Sequence, residues 1–181
     1  MKDNSAPRRI ARSIDGRFGL DLPKGVLDDA LRYCAGSYPM ETGGILIGRY
    51  STDLTVAQVT DLVPAPGDST AKRFSFDRGM RGLQNLLHRV WTERKYYLGE
   101  WHFHPGNSAH PSSTDFEQMR KISVSSDYHC PEPVILVVGG KPPEHAELES
   151  YVVVRGSVDA IMLHFEKPSS GQNLPGPQPQ D

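Results

Sequence analysis

Residues 96–105 read YYLGEWHFHP, and this alternation constrains the chain more than any other stretch. A period of two belongs to a β-strand. It puts Trp101 and Phe103 on one face and Glu100, His102 and His104 on the other. Two large aromatic rings have to be covered by a core, so the chain must build a sheet around this strand. The same strand then holds two imidazoles side by side on its second face.

The elements around it follow from periodicity. Between Leu22 and Gly36 the apolar positions Val26, Leu27, Ala30, Leu31 and Cys34 recur at steps of three and four, which predicts a helix of about three turns. Residues 41–50 (ETGGILIGRY) and the alternating run Thr55 to Val63 predict a hairpin. After the breaker cluster PAPGDS at 64–69, Met80, Leu83, Leu86, Leu87, Val90 and Trp91 draw an apolar stripe, expected to be the longest helix. Ser-Ser-Thr-Asp-x-Glu from Ser112 has the composition of a helix start, for a helix running to Val124. Three further β-branched runs, Pro133–Gly139, Leu148–Arg155 and Ala160–Phe165, predict three more strands.

These strands and helices predict an α/β (α+β) chain, one sheet with helices in a single domain at residues 14–167. Residues 1–13 read as a polar, basic N-terminal arm, and 168–181 (PSSGQNLPGPQPQD) as a disordered tail. A chain of 181 residues with 37% hydrophobic side chains can bury one core but not two ordinary ones. With 20 Lys plus Arg against 22 Asp plus Glu the net charge is −2, which supplies no field to hold a nucleic acid. There is no run of 18 apolar residues and no apolar segment behind the basic start, so no membrane partner and a cytoplasmic location are expected. Two cysteines outside any CxxC spacing read as reduced thiols.

The chemistry concentrates in W-H-F-H-P at 101–105 and S-S-T-D at 112–115. A metal needs donors converging on one point, and the strand period delivers His102 and His104 to it. Asp115, in the first turn of the following helix, can supply a third donor. Two imidazoles and one carboxylate leave a fourth position for water, the pattern of catalytic rather than structural zinc. A second reading uses no metal: Ser112-x-x-Asp115 is a capping box, and helix N-termini favour Asp in any case.

Three separated pieces, Glu41-Thr42-Gly43-Gly44-Ile45-Leu46-Ile47-Gly48, His102-x-His104-Pro105 and Pro111-Ser112-x-x-Asp115, together resemble the JAMM (MPN) metallopeptidase family, and most closely its bacterial JAB subgroup. The resemblance implies an MPN-type fold, a curved mixed sheet flanked by helices, and zinc held by His102, His104 and Asp115. It implies Glu41 as general base, passing a proton from water to the leaving amine, and Ser112 as donor to the developing oxyanion. It further implies a zinc-dependent peptidase or isopeptidase acting after the C-terminal tail of a ubiquitin-like protein. The family context adds E1- and E2-like proteins, a nucleotidyltransferase of the same operon and the antiphage systems known as CBASS. Trimming of a ubiquitin-like sulfur carrier would use the same site. A non-catalytic MPN scaffold is the reading of another class.

Lesser candidates complete the survey. Gly43 and Gly44 allow a close backbone approach or a simple bulge. Glu100 could orient a ligand imidazole, although an exposed strand carboxylate is the plainer expectation. His110 reads as a solvent histidine, His129 and Cys130 offer little for a second metal, and Arg8, Arg9 and Arg12 read as solvated. The loops Pro64–Phe74 and Gly106–His110 are the expected walls of a substrate groove.

Overall fold

The computed structural model describes residues 7–167, so residues 1–6 and the expected tail at 168–181 lie outside the described residues. In chain order the elements are β1 (Arg8–Arg12), β2 (Gly19–Pro23), α1 (Lys24–Ser37), β3 (Thr42–Tyr50), β4 (Val56–Pro64), β5 (Thr70–Ala71), β6 (Phe76–Asp77), α2 (Leu83–Thr92), β7 (Tyr96–Pro105), α3 (Ser113–Val124), β8 (Val134–Lys141), β9 (His145–Val153) and β10 (Ala160–Phe165). The expected mixed sheet with flanking helices is present, and it curves until it closes in the order β1-β10-β9-β8-β7-β3-β4-β2. The pairs β2 with β4 and β7 with β8 are parallel, and the other pairs are antiparallel. β5 and β6 form a separate two-stranded ribbon.

Each face of the sheet carries its own apolar layer. On one, Leu46, Leu98, Trp101, Phe103, Leu136 and Leu163 pack with Val26 and Cys34 of α1. On the other, Ile45, Ile47, Tyr97, Ile135 and Val137 pack with Leu83 and Val90 of α2 and Met119 and Ile122 of α3. Full burial of the Phe103 ring contributes about 1.5–3 kcal/mol, enough to fix which face of β7 turns toward α1.

A bulge in β7 sets that facing. Leu46 pairs with Gly99 but Ile47 pairs with Tyr97, so Leu98 is an extra residue and the alternation restarts beyond it. Gly99, at φ +149°, allows this because a Cβ there would collide with the Val134 carbonyl oxygen. Tyr97 and Glu100 therefore share a face, and Glu100, His102 and His104 emerge on the side of α2 and α3.

Two expectations need correction. The stripe from Met80 to Trp91 is not the longest helix, since α2 has 10 residues and α1 has 14. The Asp68 carboxylate accepts the Met80 and Arg81 N–H groups at 3.0 and 3.1 Å, and Gly82 turns left-handed at φ +75°, so the chain enters the helix only at Leu83. Residues 8–12, read as part of a solvated arm, form β1 between β2 and β10. Arg8 and Arg12 stay exposed as expected, with Arg8 Nε 2.5 Å from Asp21 Oδ1 and Arg12 facing Glu166 at 3.6 Å, while Arg9 is half-buried over the Phe165 ring. Polar strands of this kind show no apolar period, which is why β1 is silent in the sequence.

Candidate metal centre

β7 and α3 bring the candidate ligands together. β7 carries His102 and His104 to its C-terminal end, and the 106–112 loop returns the chain so that the first turn of α3 faces them. One donor atom from each of His102, His104 and Asp115 lies within 4.8 Å of the others. His102 Nδ1 is 2.7 Å from Asp115 Oδ1, and His104 Nε2 is 3.6 Å from Asp115 Oδ2. His102 and Asp115 are buried, His104 partly so.

The capping box is also real. Ser112 Oγ accepts the Asp115 N–H at 3.2 Å, while Asp115 Oδ2 accepts the Ser112 N–H at 2.6 Å and its hydroxyl at 2.7 Å. The two readings of Ser112-x-x-Asp115 are compatible because the carboxylate has two oxygens. Oδ2 serves the cap, with His104 Nε2 3.6 Å away, and Oδ1 serves the His102 imidazole.

Charge follows from this packing. Burial opposes a charge on His102, yet hydrogen bonds to Asp115 and Glu100, with their charges, lift it to about 9. Burial also opposes ionisation of Asp115, and hydrogen bonds from His102, His104 and Ser112 nonetheless hold it far below the usual carboxylate range. Glu41 stands immediately before β3 with its N–H donated to the Lys72 carbonyl at 2.8 Å. Burial pushes its carboxyl up; His104 and His102 pull it down and Asp115 pushes it further up, so it lies within the field of all three.

Gly43 and Gly44 act by close approach. A Cβ on Gly43 would stand 2.5 Å from the Trp101 carbonyl oxygen and 2.8 Å from Phe76 Cε1, and one on Gly44 would strike the Val63 carbonyl. The bulges beside β3 lie later, opposite Leu46 to Gly48, and their extra residues belong to β7 and β4.

Glu100 is not the exposed carboxylate that was expected. It is 1% exposed, covered by the chain between β6 and α2, which brings Arg78 to within 2.7 Å. Burial opposes its charge, and hydrogen bonds from His102 and Arg78 hold its carboxyl below the ordinary value. Arg78 was not singled out from the sequence, since an arginine between two loops carries no periodic signal. His110 stays largely exposed, 3.2 Å from Glu149 Oε2 and 3.1 Å from Tyr151 Oη. Cys130 is buried beside Tyr50 Oη and pushed up to about 11, and among the described residues no second group of donors converges.

The segment 23–154 matches the family model for prokaryotic homologs of the JAB domain. The chain belongs to that family. As a JAB-domain protein it is 44% identical over 156 residues to a protein of Enterobacter hormaechei subsp. hoffmannii named CD-NTase/cGAS isopeptidase, covering 86% of this chain and 87% of that one. It is 33% identical over 125 residues to a Sinorhizobium fredii protein named Probable metalloprotease y4qB, covering 67% and 76%. The JAB fold is shared with the solution structure of protein DSY2949 from Desulfitobacterium hafniense, at a TM-score of 0.56 and 20% identity over 76% of this chain and 86% of that one. Among the described residues no helix is long and apolar enough to cross a membrane.

The donor set fits the metal that a JAB domain implies. Two imidazoles and one carboxylate, with no thiolate among them, suit Zn²⁺ with one position open.

Proposed function

We propose that this JAB-domain protein is a zinc-dependent hydrolase of peptide or isopeptide bonds that follow the C-terminal tail of a ubiquitin-like protein. The observation that carries this reading is the convergence of His102, His104 and Asp115 within 4.8 Å, with Glu41 in their field. The name of the Enterobacter relative favours deconjugation from a CD-NTase over trimming of a sulfur carrier. E1- and E2-like proteins and a nucleotidyltransferase are the corresponding partners, in a cytoplasmic, CBASS-type setting.

His102, His104 and Asp115 would hold the ion, which when bound supplies Lewis acidity and lowers the pKa of water at its open position. Glu41 would accept a proton from the attacking water on its carboxylate and deliver it to the leaving nitrogen. Partial burial serves this step by raising the carboxyl above its ordinary value, while the Lys72 carbonyl fixes the backbone that carries it. Ser112 donates to the developing oxyanion. Its one hydroxyl proton is directed at Asp115 Oδ2, so donation to substrate requires it to turn away, with its oxygen still held by the Asp115 N–H. An extended tail finds β7 already paired on both sides, by β3 and β8. The main-chain partners beside the ligands are therefore the β5–β6 ribbon, whose Lys72 neighbour touches Glu41, and the 106–110 loop.

The test is the zinc content of the purified chain by elemental analysis, then cleavage of a ubiquitin-like protein fused at its tail to a reporter. About one zinc per chain that is lost in Asp115→Ala, with cleavage lost in Glu41→Ala, is the expected result. No zinc after reconstitution would overturn the proposal in favour of a scaffold.

A further inference from the structure

The segment between β4 and α2 delivers a side chain to the ligand cluster that the reaction itself does not use. Arg78 is almost fully buried, and its Nε and Nη2 lie 2.8 and 2.7 Å from Glu100 Oε1. It also donates to Tyr128 Oη at 2.9 Å and to the Gly79 carbonyl at 3.1 Å. Tyr97 Oη donates to the same Glu100 oxygen at 3.2 Å. Glu100 Oε1 is thus saturated, and among the described residues Oε2 is directed to a single partner, His102 Nε2, at 3.4 Å. The opposite nitrogen, Nδ1, is the one that faces Asp115. The ring of Phe76, two residues before Arg78, stands edge-on to the same imidazole with centroids 5.8 Å apart.

A buried ion pair of this kind is a poor device for stability, because desolvation of both charges consumes most of their attraction. It does fix direction. Resting on the metal reading above, we propose that Glu100 and Arg78 are a positioning pair for His102: Glu100 accepts the Nε2–H, which leaves the Nδ1 lone pair for the metal, and Arg78 locks the Glu100 rotamer. Neither residue reaches the reacting atoms. A ligating imidazole whose second N–H goes to a carboxylate is held in one tautomer and one ring orientation, and loss of such a partner costs about 10–100-fold in metal affinity.

The experiment measures zinc affinity by competition with a chelating indicator, and melting temperature, for the full chain and three variants. Arg78→Met leaves the Glu100 charge buried without its partner and is expected to lower both. Glu100→Gln is expected to weaken zinc by about 10-fold or more. The double variant Arg78→Met with Glu100→Leu removes both charges, so its melting temperature recovers toward that of the unsubstituted chain while its zinc affinity stays low. Ring ¹⁵N shifts of zinc-loaded protein are expected to show His102 protonated at Nε2. Recovery of affinity together with stability in the double variant, equal affinity throughout, or a zinc bond at Nε2 would overturn the proposal. An unsubstituted chain that takes up no zinc overturns the metal reading and this pair with it, and so is told apart from failure of the pair alone.

Discussion

Ser112 and Asp115 hold each other at both ends of one turn: the Asp115 N–H reaches Ser112 Oγ at 3.2 Å, and Ser112 returns its N–H and its hydroxyl to Asp115 Oδ2 at 2.6 and 2.7 Å. The helix cap is thereby also the mount of a candidate ligand. Asp115 cannot rotate its carboxylate toward or away from His102 without breaking the start of α3.

Ser112→Ala separates the two uses. Loss of the cap is expected to destabilise the fold by about 1 kcal/mol, and cleavage should fall by more than that loss of stability explains. Denaturant unfolding and turnover of the same sample measure the two effects, and a variant of full activity would remove Ser112 from the oxyanion role.

Glu41→Gln keeps the size of the side chain and removes its capacity to take a proton. Turnover should drop by about 10²–10⁴-fold while zinc content is unchanged. If zinc is lost as well, Glu41 is a ligand rather than a base.

The metal-free protein has a predictable pH response. His102 is raised to about 9 from its ordinary 6.5, so its contribution to stability is complete below about pH 6.5 and disappears as pH rises toward 9. Asp115 is lowered, so its contribution is present above its ordinary 3.8 and disappears as the solution is made more acidic. Thermal melts of chelator-treated protein should decline from pH 6.5 to 9, and Asp115→Asn should flatten that slope. Zinc binding, which competes with the His102 proton, should strengthen over the same interval.

Gly44→Ala drives a Cβ into the Val63 carbonyl and to 2.8 Å from Trp101 Nε1. Neither neighbour is the free end of a flexible chain. A loss on the order of 1–3 kcal/mol is expected, and a variant of unchanged melting temperature would show that β3 can move away from β4 at this point.

The local sequence carried more of the site than of the sheet. His102, His104 and Asp115 were legible because a strand and the first turn of a helix have fixed geometries, and both elements announce themselves by period. Glu100 was on the right face, yet its burial was hidden, since it depends on Arg78, which lies 22 residues away in a segment without periodicity. Closure of the sheet through β1 and the parallel pairing of β2 with β4 were equally hidden: pairing between distant segments leaves no trace in either segment alone. The start of α2 was misplaced because the stripe at Met80 continues past a left-handed glycine that no apolar pattern records.

The antiparallel pairing of β1 with β10, Ala11 opposite Phe165 and Arg12 opposite His164, places the two ends of the described chain side by side. Topologically the protein comes close to a ring with one cut. A permuted gene that joins residue 167 to residue 7 through a short flexible linker, and opens instead at the exposed turn Ser51–Thr55, would keep every strand neighbour and leave the metal ligands on uncut segments.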